Sequence, residues 1–276
     1  MARRLLYFGD MPPTATPLII FTDLDGCLLN KHDYDWSAAA VTLEILRQRQ
    51  IPVVMNSSKT VPEMLLLAEE LGLTGETFIS ENGSVIHWGP DSTEVIGAAR
   101  DEILAVLTDL KKRFRFRSFA DLGLDGVVNE TQLPVDKAQL ALDRQGTEPL
   151  LWDDTDECRS EFEQRLHDHK ITLVKGGRFW HVAGRTSKGK AMQQVARHLC
   201  GSVSDPNYKT IIAAIGDSPI DQSMLDAADV PIGIPSPTGL QVTIAFPRGI
   251  VAVQQGAVGW AEAVTELLSR LDSRAS

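Results

Sequence analysis

Two short acidic clusters, each directly behind an apolar run, constrain this chain more than any other feature. Leu18 to Thr22 reads as a strand buried on both faces, and Asp23-Leu24-Asp25-Gly26 follows it at once. Far along the chain, Ile211 to Ile215 repeats the pattern and runs into Gly216-Asp217-Ser218-Pro219-Ile220-Asp221. Strands of this kind belong to parallel sheets covered by helices, and the crevice beyond their carboxyl ends is where ligands bind.

The stretches between and around these clusters alternate strand and helix. A helix is expected near Ser37 to Arg49 and a strand over Pro52 to Met55. Thr60-Val-Pro-Glu63 has the form of a capping box, with Gly72 as the stop of the helix it opens. Thr77 to Ser80 is a third short strand. From about Trp88 the texture changes: helical stretches (Arg100–Lys111, Pro134–Arg144, Asp156–His167) mix with strand-like ones (Phe114–Phe119, Pro149–Trp152, Ile171–Lys175, Arg178–Ala183), and Gly176-Gly177 reads as a tight hairpin turn. The α/β rhythm resumes at Ser187 and ends in a helix from about Ala257 to Leu271. The expected architecture is α/β: a doubly wound, Rossmann-like parallel-sheet core formed by residues 1–87 and 186–276, with an α+β cap inserted at 88–185.

Bulk properties narrow the chemistry. The chain has 276 residues, 43% of them hydrophobic and 23% charged, enough for a real core. A formal charge of −10 argues against nucleic acid or an anionic membrane as partner, since a basic footprint normally supplies that affinity. An anionic substrate would need local cationic help, which makes a bound metal attractive. Cys27, Cys158 and Cys200 are far apart, so neither a disulfide framework nor a zinc site is expected. The opening MARRLLYFGDMPPTATP reads as a short mobile tail on a cytoplasmic protein, because its apolar run is too short for a signal-peptide core.

Four clusters carry candidate chemistry. Asp23 and Asp25 at a strand end can divide labour between nucleophile or metal ligand and proton carrier. A solvated turn is the plain alternative, and a calcium loop fails because its twelfth position is Tyr34 rather than glutamate. Asp217 and Asp221 suit a hard cation, although Asp217 could simply cap the helix that follows. Asn56-Ser57-Ser58-Lys59-Thr60 offers hydroxyls and free N–H groups to a phosphate at a helix start, with ordinary capping by Thr60 equally expected. Lys188, in Ser187-Lys188-Gly189-Lys190, is either an exposed helix lysine or a phosphate partner.

Taken in this order, the four clusters resemble the haloacid-dehalogenase superfamily of phosphatases across essentially the whole chain. The resemblance implies that Asp23 forms an aspartyl phosphate and that Asp25 is general acid and base. It implies that Ser57, Ser58 and Lys188 hold the phosphoryl group. Mg2+ would be bound by Asp23, Asp217 and the backbone carbonyl of Asp25, with Asp221 completing the acidic cluster. Ser80-Glu81-Asn82-Gly83-Ser84 resembles the ENG segment of the Cof-type subclass with the larger α/β cap, and points to Asn82 near the cleft floor.

More narrowly, the chain is similar to mannosyl-3-phosphoglycerate phosphatases in Ser57-Ser58-Lys59-Thr60, Glu81-Asn82-Gly83, Arg144 with Thr147-Glu148-Pro149, and Gly177-Arg178-Phe179-Trp180-His181. That similarity makes Lys59, Asn82, Arg144, Glu148, Arg178 and His181 candidate substrate-binding residues. Arg178 would serve as a fork for a glycerate carboxylate, and Glu148 and His181 would meet sugar hydroxyls. A half-buried strand alternating Arg178, Trp180 and Val182 is the structural alternative. The implied partner is a small phosphorylated sugar, with neither nucleic acid nor membrane, for a monomer or homodimer. The chain departs from the family at Ile220, where asparagine is usual, at Cys27, where threonine is usual, and in Arg144-Gln145-Gly146-Thr147. Other sugar phosphates, or a binding homologue with weak turnover, stay open at this point.

Overall fold

The computed structural model describes residues 17–90, 92–176, 178–201 and 210–275. The tail expected before Pro17 and the Gly177 half of the expected hairpin lie outside the described residues. The chain divides into two compact units, one joining the segments up to Ser57 and from Met192 onward, the other running from Ser58 to Ala191. The expected cap had narrower bounds, 88–185.

The first unit is built on a five-stranded parallel sheet. Its strands, in spatial order, are Ile250–Val251, Val230–Gly233, Ile211–Gly216, Leu18–Thr22 and Val53–Met55. Leu18–Thr22 is buried along its whole length, which explains its unbroken apolar run. From this strand the chain crosses in one direction to Val53–Met55, through the helix Ala40–Gln48. From Ile211–Gly216 it crosses the other way to Val230–Gly233, through the helix Gln222–Ala227. Right-handed crossovers running in opposite directions put their helices on opposite faces. The order therefore reverses between Leu18–Thr22 and Ile211–Gly216, and the two acidic clusters leave from this topological switch point.

The second unit carries two antiparallel sheets. Phe78–Ser80, Val85–Gly89 and Ser92–Val95 form a meander, and Phe116–Ser118, Thr147–Trp152, Trp180–Gly184 and Ile171–Lys175 form a four-stranded sheet in that order. The strand expected over Thr77 to Ser80 thus joins the meander rather than the parallel sheet. Its partner returns after the three-residue turn Glu81–Gly83, too short for the crossover that a parallel pair requires. An aromatic-rich core of Phe114, Phe116, Phe162, Leu150 and Val182 lies under the four-stranded sheet.

One helix, Phe119–Thr131, has no counterpart among the sequence expectations, which ran a strand on to Phe119. Ser118 caps it, accepting from the Asp121 N–H, and the Asp121 carboxylate accepts from the Ser118 N–H in return. Gly123, with φ 61° and ψ −171°, breaks the helical backbone and hides the periodicity.

Candidate active site

The Asp23 loop is fixed by main chain before any side chain acts. The Asp23 N–H donates to the Ile215 carbonyl at 2.9 Å, extending the pairing of these two strands one residue past the end of Leu18–Thr22. Beyond it the chain turns tightly, with Cys27 N–H on Leu24 O at 3.0 Å and Gly26 N–H on Leu29 O at 2.8 Å. Gly26 has φ +94°, and a Cβ there would stand 2.5 Å from Asp217 Oδ2. Only glycine serves both needs, a left-handed backbone and a close approach by the second acidic loop.

Asp217 is held by Asp221. Oδ2 of Asp221, fully buried, accepts from the N–H groups of Asp217 (3.2 Å) and Ser218 (3.0 Å) and from the Ser218 hydroxyl (2.8 Å). Asp221 thus shapes the loop that presents Asp217. Asp23, Cys27 and Asp217 each bring one potential ligand atom to within 4.8 Å of the others, and all three are buried. Buried carboxylates this close repel unless a cation stands between them.

Lys31 brings one cation to this centre. Its Nζ lies 3.4 Å from Asp217 Oδ2 and 3.4 Å from the backbone carbonyl of Asp25. Burial alone would lower the Lys31 pKa, but Asp217, helped by Asp23 and Asp25, outweighs it and raises the value above the ordinary 10.5. Two carboxylates and a carbonyl around one positive centre form the oxygen set that Mg2+ favours, so the residues fit that ion; the Cys27 sulfur is too soft to add to it. Ser57 is buried just past Val53–Met55, where the preceding Asn56 N–H donates to Thr22 O at 2.8 Å.

In the second unit, Glu81 organises several motifs at once. Fully buried, it accepts from Gln145 N–H at 2.8 Å, Gly146 N–H at 3.2 Å and Thr147 Oγ1 at 2.5 Å, while its own N–H donates to Lys59 O at 2.9 Å. Arg144 spends its guanidinium internally: Nε on Thr147 Oγ1, one terminal nitrogen on Ala141 O and the other on Ser58 O. Glu148, also buried, accepts from Arg100 Nε at 2.8 Å and from Ala120 N–H at 2.7 Å. Thr186 Oγ1 donates to Gly83 O at 2.6 Å, and a Cβ on Gly83 (φ +92°) would stand 2.4 Å from Ser187 O. The ENG turn therefore packs directly against the start of the Lys188 helix, and Lys188 is buried.

Asn82 sits in that turn with φ 57°. It is nine-tenths buried, and neither its amide nitrogen nor its oxygen has a hydrogen-bond partner among the described residues. A buried amide left this way costs stability unless a ligand completes it. Arg178 is half exposed and paired with Glu130 at 2.8 Å. His181 is packed tightly enough, near Arg144 and Lys175, that its pKa falls to about 3, chiefly through burial and then through those two cations. At neutral pH it is an uncharged imidazole.

A family model described as haloacid dehalogenase-like hydrolase matches residues 20–147, from the strand ahead of Asp23 to the Arg144–Thr147 corner. The glucosyl-3-phosphoglycerate/mannosyl-3-phosphoglycerate phosphatase of Persephonella marina is 33% identical over 272 residues, covering 92% of this chain and 98% of its own. The chain belongs to the haloacid dehalogenase-like hydrolases. Within them it is a Cof-type phosphoric monoester hydrolase. Solved structures agree on the fold. A Thermoplasma acidophilum protein superposes with a TM-score of 0.66 at 16% identity, over 93% of this chain and 99% of its own. A haloacid dehalogenase-like hydrolase from B. subtilis gives 0.62 at 20% identity, over 92% and 99%.

Lys31, which touches the acidic pair, had no sequence signal as a functional residue. It is a lone lysine beyond the acidic motif. Cys27 stood out only as a departure from the family, although its Sγ reaches the acidic pair. Among the described residues no helix is long and apolar enough to cross a membrane.

Proposed function

We propose that this hydrolase is a magnesium-dependent phosphatase that works through an aspartyl phosphate on Asp23, with mannosyl-3-phosphoglycerate as its foremost substrate and mannosylglycerate and phosphate as products. The observation that carries the proposal is the approach of Asp23 and Asp217 to within 4.8 Å across the topological switch point. Asp23, Asp217 and the carbonyl of Asp25 would hold Mg2+, which when bound offsets the negative charge gathered around phosphorus. Asp23 attacks phosphorus while Asp25 protonates the departing oxygen, which in a glycosyl-3-phosphoglycerate is the 3-oxygen of the glycerate. Asp25 then takes a proton from the water that hydrolyses the aspartyl phosphate. Ser57, Ser58 and Lys188, carried over from the family motifs, would hold the phosphoryl oxygens.

Substrate choice is proposed to rest on residues 88–185 acting as the cap of a core made by 1–87 and 186–276. Asn82 has the strongest claim to a ligand, because its amide lacks a partner among the described residues. Arg144 and Glu148 would act chiefly by holding the pocket's shape, since their charged groups are engaged within the unit. Lys59, Arg178 and His181 remain proposed contacts for the sugar or the glycerate, with His181 as a neutral partner. The name of the Persephonella marina relative supports either glucosyl- or mannosyl-3-phosphoglycerate, with simple hexose phosphates behind them. A cytoplasmic role in making a compatible solute would follow.

The deciding experiment measures phosphate release from both glycosyl-3-phosphoglycerates and from hexose phosphates, with and without Mg2+, by wild type and Asp23→Asn. Undiminished turnover in Asp23→Asn would refute the nucleophile. Tight binding without hydrolysis of any substrate would favour a sugar-phosphate-binding homologue.

A further inference from the structure

We propose that Lys31 is a resident counter-cation of the acidic centre, whose ammonium stands where a divalent ion binds and must swing away before that ion can enter. The proposal rests on the reading of Asp23, Asp217 and the Asp25 carbonyl as a divalent-ion site.

Lys31 Nζ touches two of the three oxygen donors, Asp217 Oδ2 and the Asp25 carbonyl, each at 3.4 Å. It therefore satisfies the same atoms a metal would. Its stem crosses Gly26, where Cδ lies 3.3 Å from the place a Cβ would occupy, so the glycine opens the path by which the side chain reaches in. Asp217 is buried, but the Lys31 side chain is 55% exposed. Contacts of 3.4 Å are long for a charge-assisted hydrogen bond, which closes to about 2.7–2.9 Å when optimal. The hold is loose, as a displaceable group requires.

Room for displacement is present. A cavity of about 360 Å³ is lined by Gly26, Lys31, Asp33, Asp217 and Ser218, so Lys31 and the centre share one open space. Asp33 offers the displaced ammonium a second carboxylate on the same wall. The arrangement has two consequences. Without metal, Lys31 relieves the repulsion between the buried carboxylates. With metal, the same lysine becomes a competitor, and it weakens the apparent affinity by the free energy of moving it aside.

The test is calorimetric titration of Mg2+ alone into wild type, Lys31→Met and Lys31→Arg, alongside melting temperatures with and without Mg2+. Methionine keeps the stem over Gly26 and removes the charge, while arginine keeps the charge. Lys31→Met is expected to bind Mg2+ about three- to tenfold more tightly, the scale of one partly exposed ion pair. It should also melt lower than wild type without metal and gain more from Mg2+. Lys31→Arg should stay near wild type. Equal or weaker Mg2+ binding by Lys31→Met overturns the counter-cation while leaving the divalent site standing. No Mg2+ binding by wild type or either variant overturns both.

Discussion

The indole Nε1 of Trp260 donates to the hydroxyl of Thr22 at 2.9 Å, and that hydroxyl donates in turn to the carbonyl of Asp23 at 2.7 Å. Trp260 and Thr22 are fully buried, so the relay has no water to fall back on. A second tie from the same helix, Ala257 N–H to Asn30 Oδ1 at 3.2 Å, holds the far end of the acidic loop. The last helix of the chain thus helps set the position of the Asp23 backbone.

Trp260→Phe keeps an aromatic ring and removes only the donor and some volume. It should cost about 1–3 kcal/mol of stability, from a buried hydroxyl that loses its donor plus a small cavity. Turnover should fall several-fold while KM stays close to wild type, because the loss is in the aim of Asp23 rather than in substrate contacts. Urea denaturation and steady-state phosphate release check this together. A stable variant with unchanged turnover would show that the relay supports the fold alone.

Gly26→Ala should be far more damaging than its size suggests. The added methyl meets Asp217 Oδ2 at 2.5 Å and the backbone holds φ +94°. Either Asp217 moves or the loop does, and displacement by about 1 Å at such a centre costs on the order of a hundredfold in rate. Mg2+ affinity should fall with it. The two are measured by phosphate release and by titration; wild-type values for both would show that the loops do not approach as described.

Much of the core was readable in advance because its signals are local. Leu18–Thr22 is buried along its length, so its apolar run had no polar interruption to confuse it. Thr60 and Glu63 form the reciprocal capping bonds their spacing implied. The second unit was harder. Val85–Gly89 and Ser92–Val95 pair through residues whose pattern is masked by His87, Trp88 and Gly89, and the Phe119–Thr131 helix is interrupted at Gly123. The Ser118-to-Asp121 capping box was the signal that could have found that helix. Long-range partners left no local trace: nothing near Arg144 announces Glu81, and nothing near Thr22 announces Trp260.

Asn82→Gly removes the one side chain in the ENG turn whose amide is left without a partner among the described residues, and keeps a backbone that tolerates φ 57°. Because no internal hydrogen bond is lost, stability should change by no more than about 1 kcal/mol. If the amide completes its hydrogen bonds on substrate, KM should rise about tenfold or more. Melting temperature and KM, measured on the same preparations, separate this from a structural role, in which both would shift or only the first would.

His181 makes the protein sensitive to acid in a defined window. Its folded pKa is lowered to about 3 against an ordinary 6.5, so the unfolded chain takes up a proton that the folded one refuses. Below pH 6.5 the unfolded state therefore gains, and stability falls as pH drops toward 3. Within that window the slope from this one group approaches about 1.4 kcal/mol per pH unit, and above 6.5 it vanishes. His181→Gln has no such proton to refuse and should flatten the curve between pH 6 and 4, whatever its stability at pH 7. Urea denaturation of both proteins at pH 7, 6, 5 and 4 gives the two slopes. Parallel curves would mean that His181 takes its proton in the folded protein after all, and that burial, with Arg144 and Lys175, does not hold it neutral.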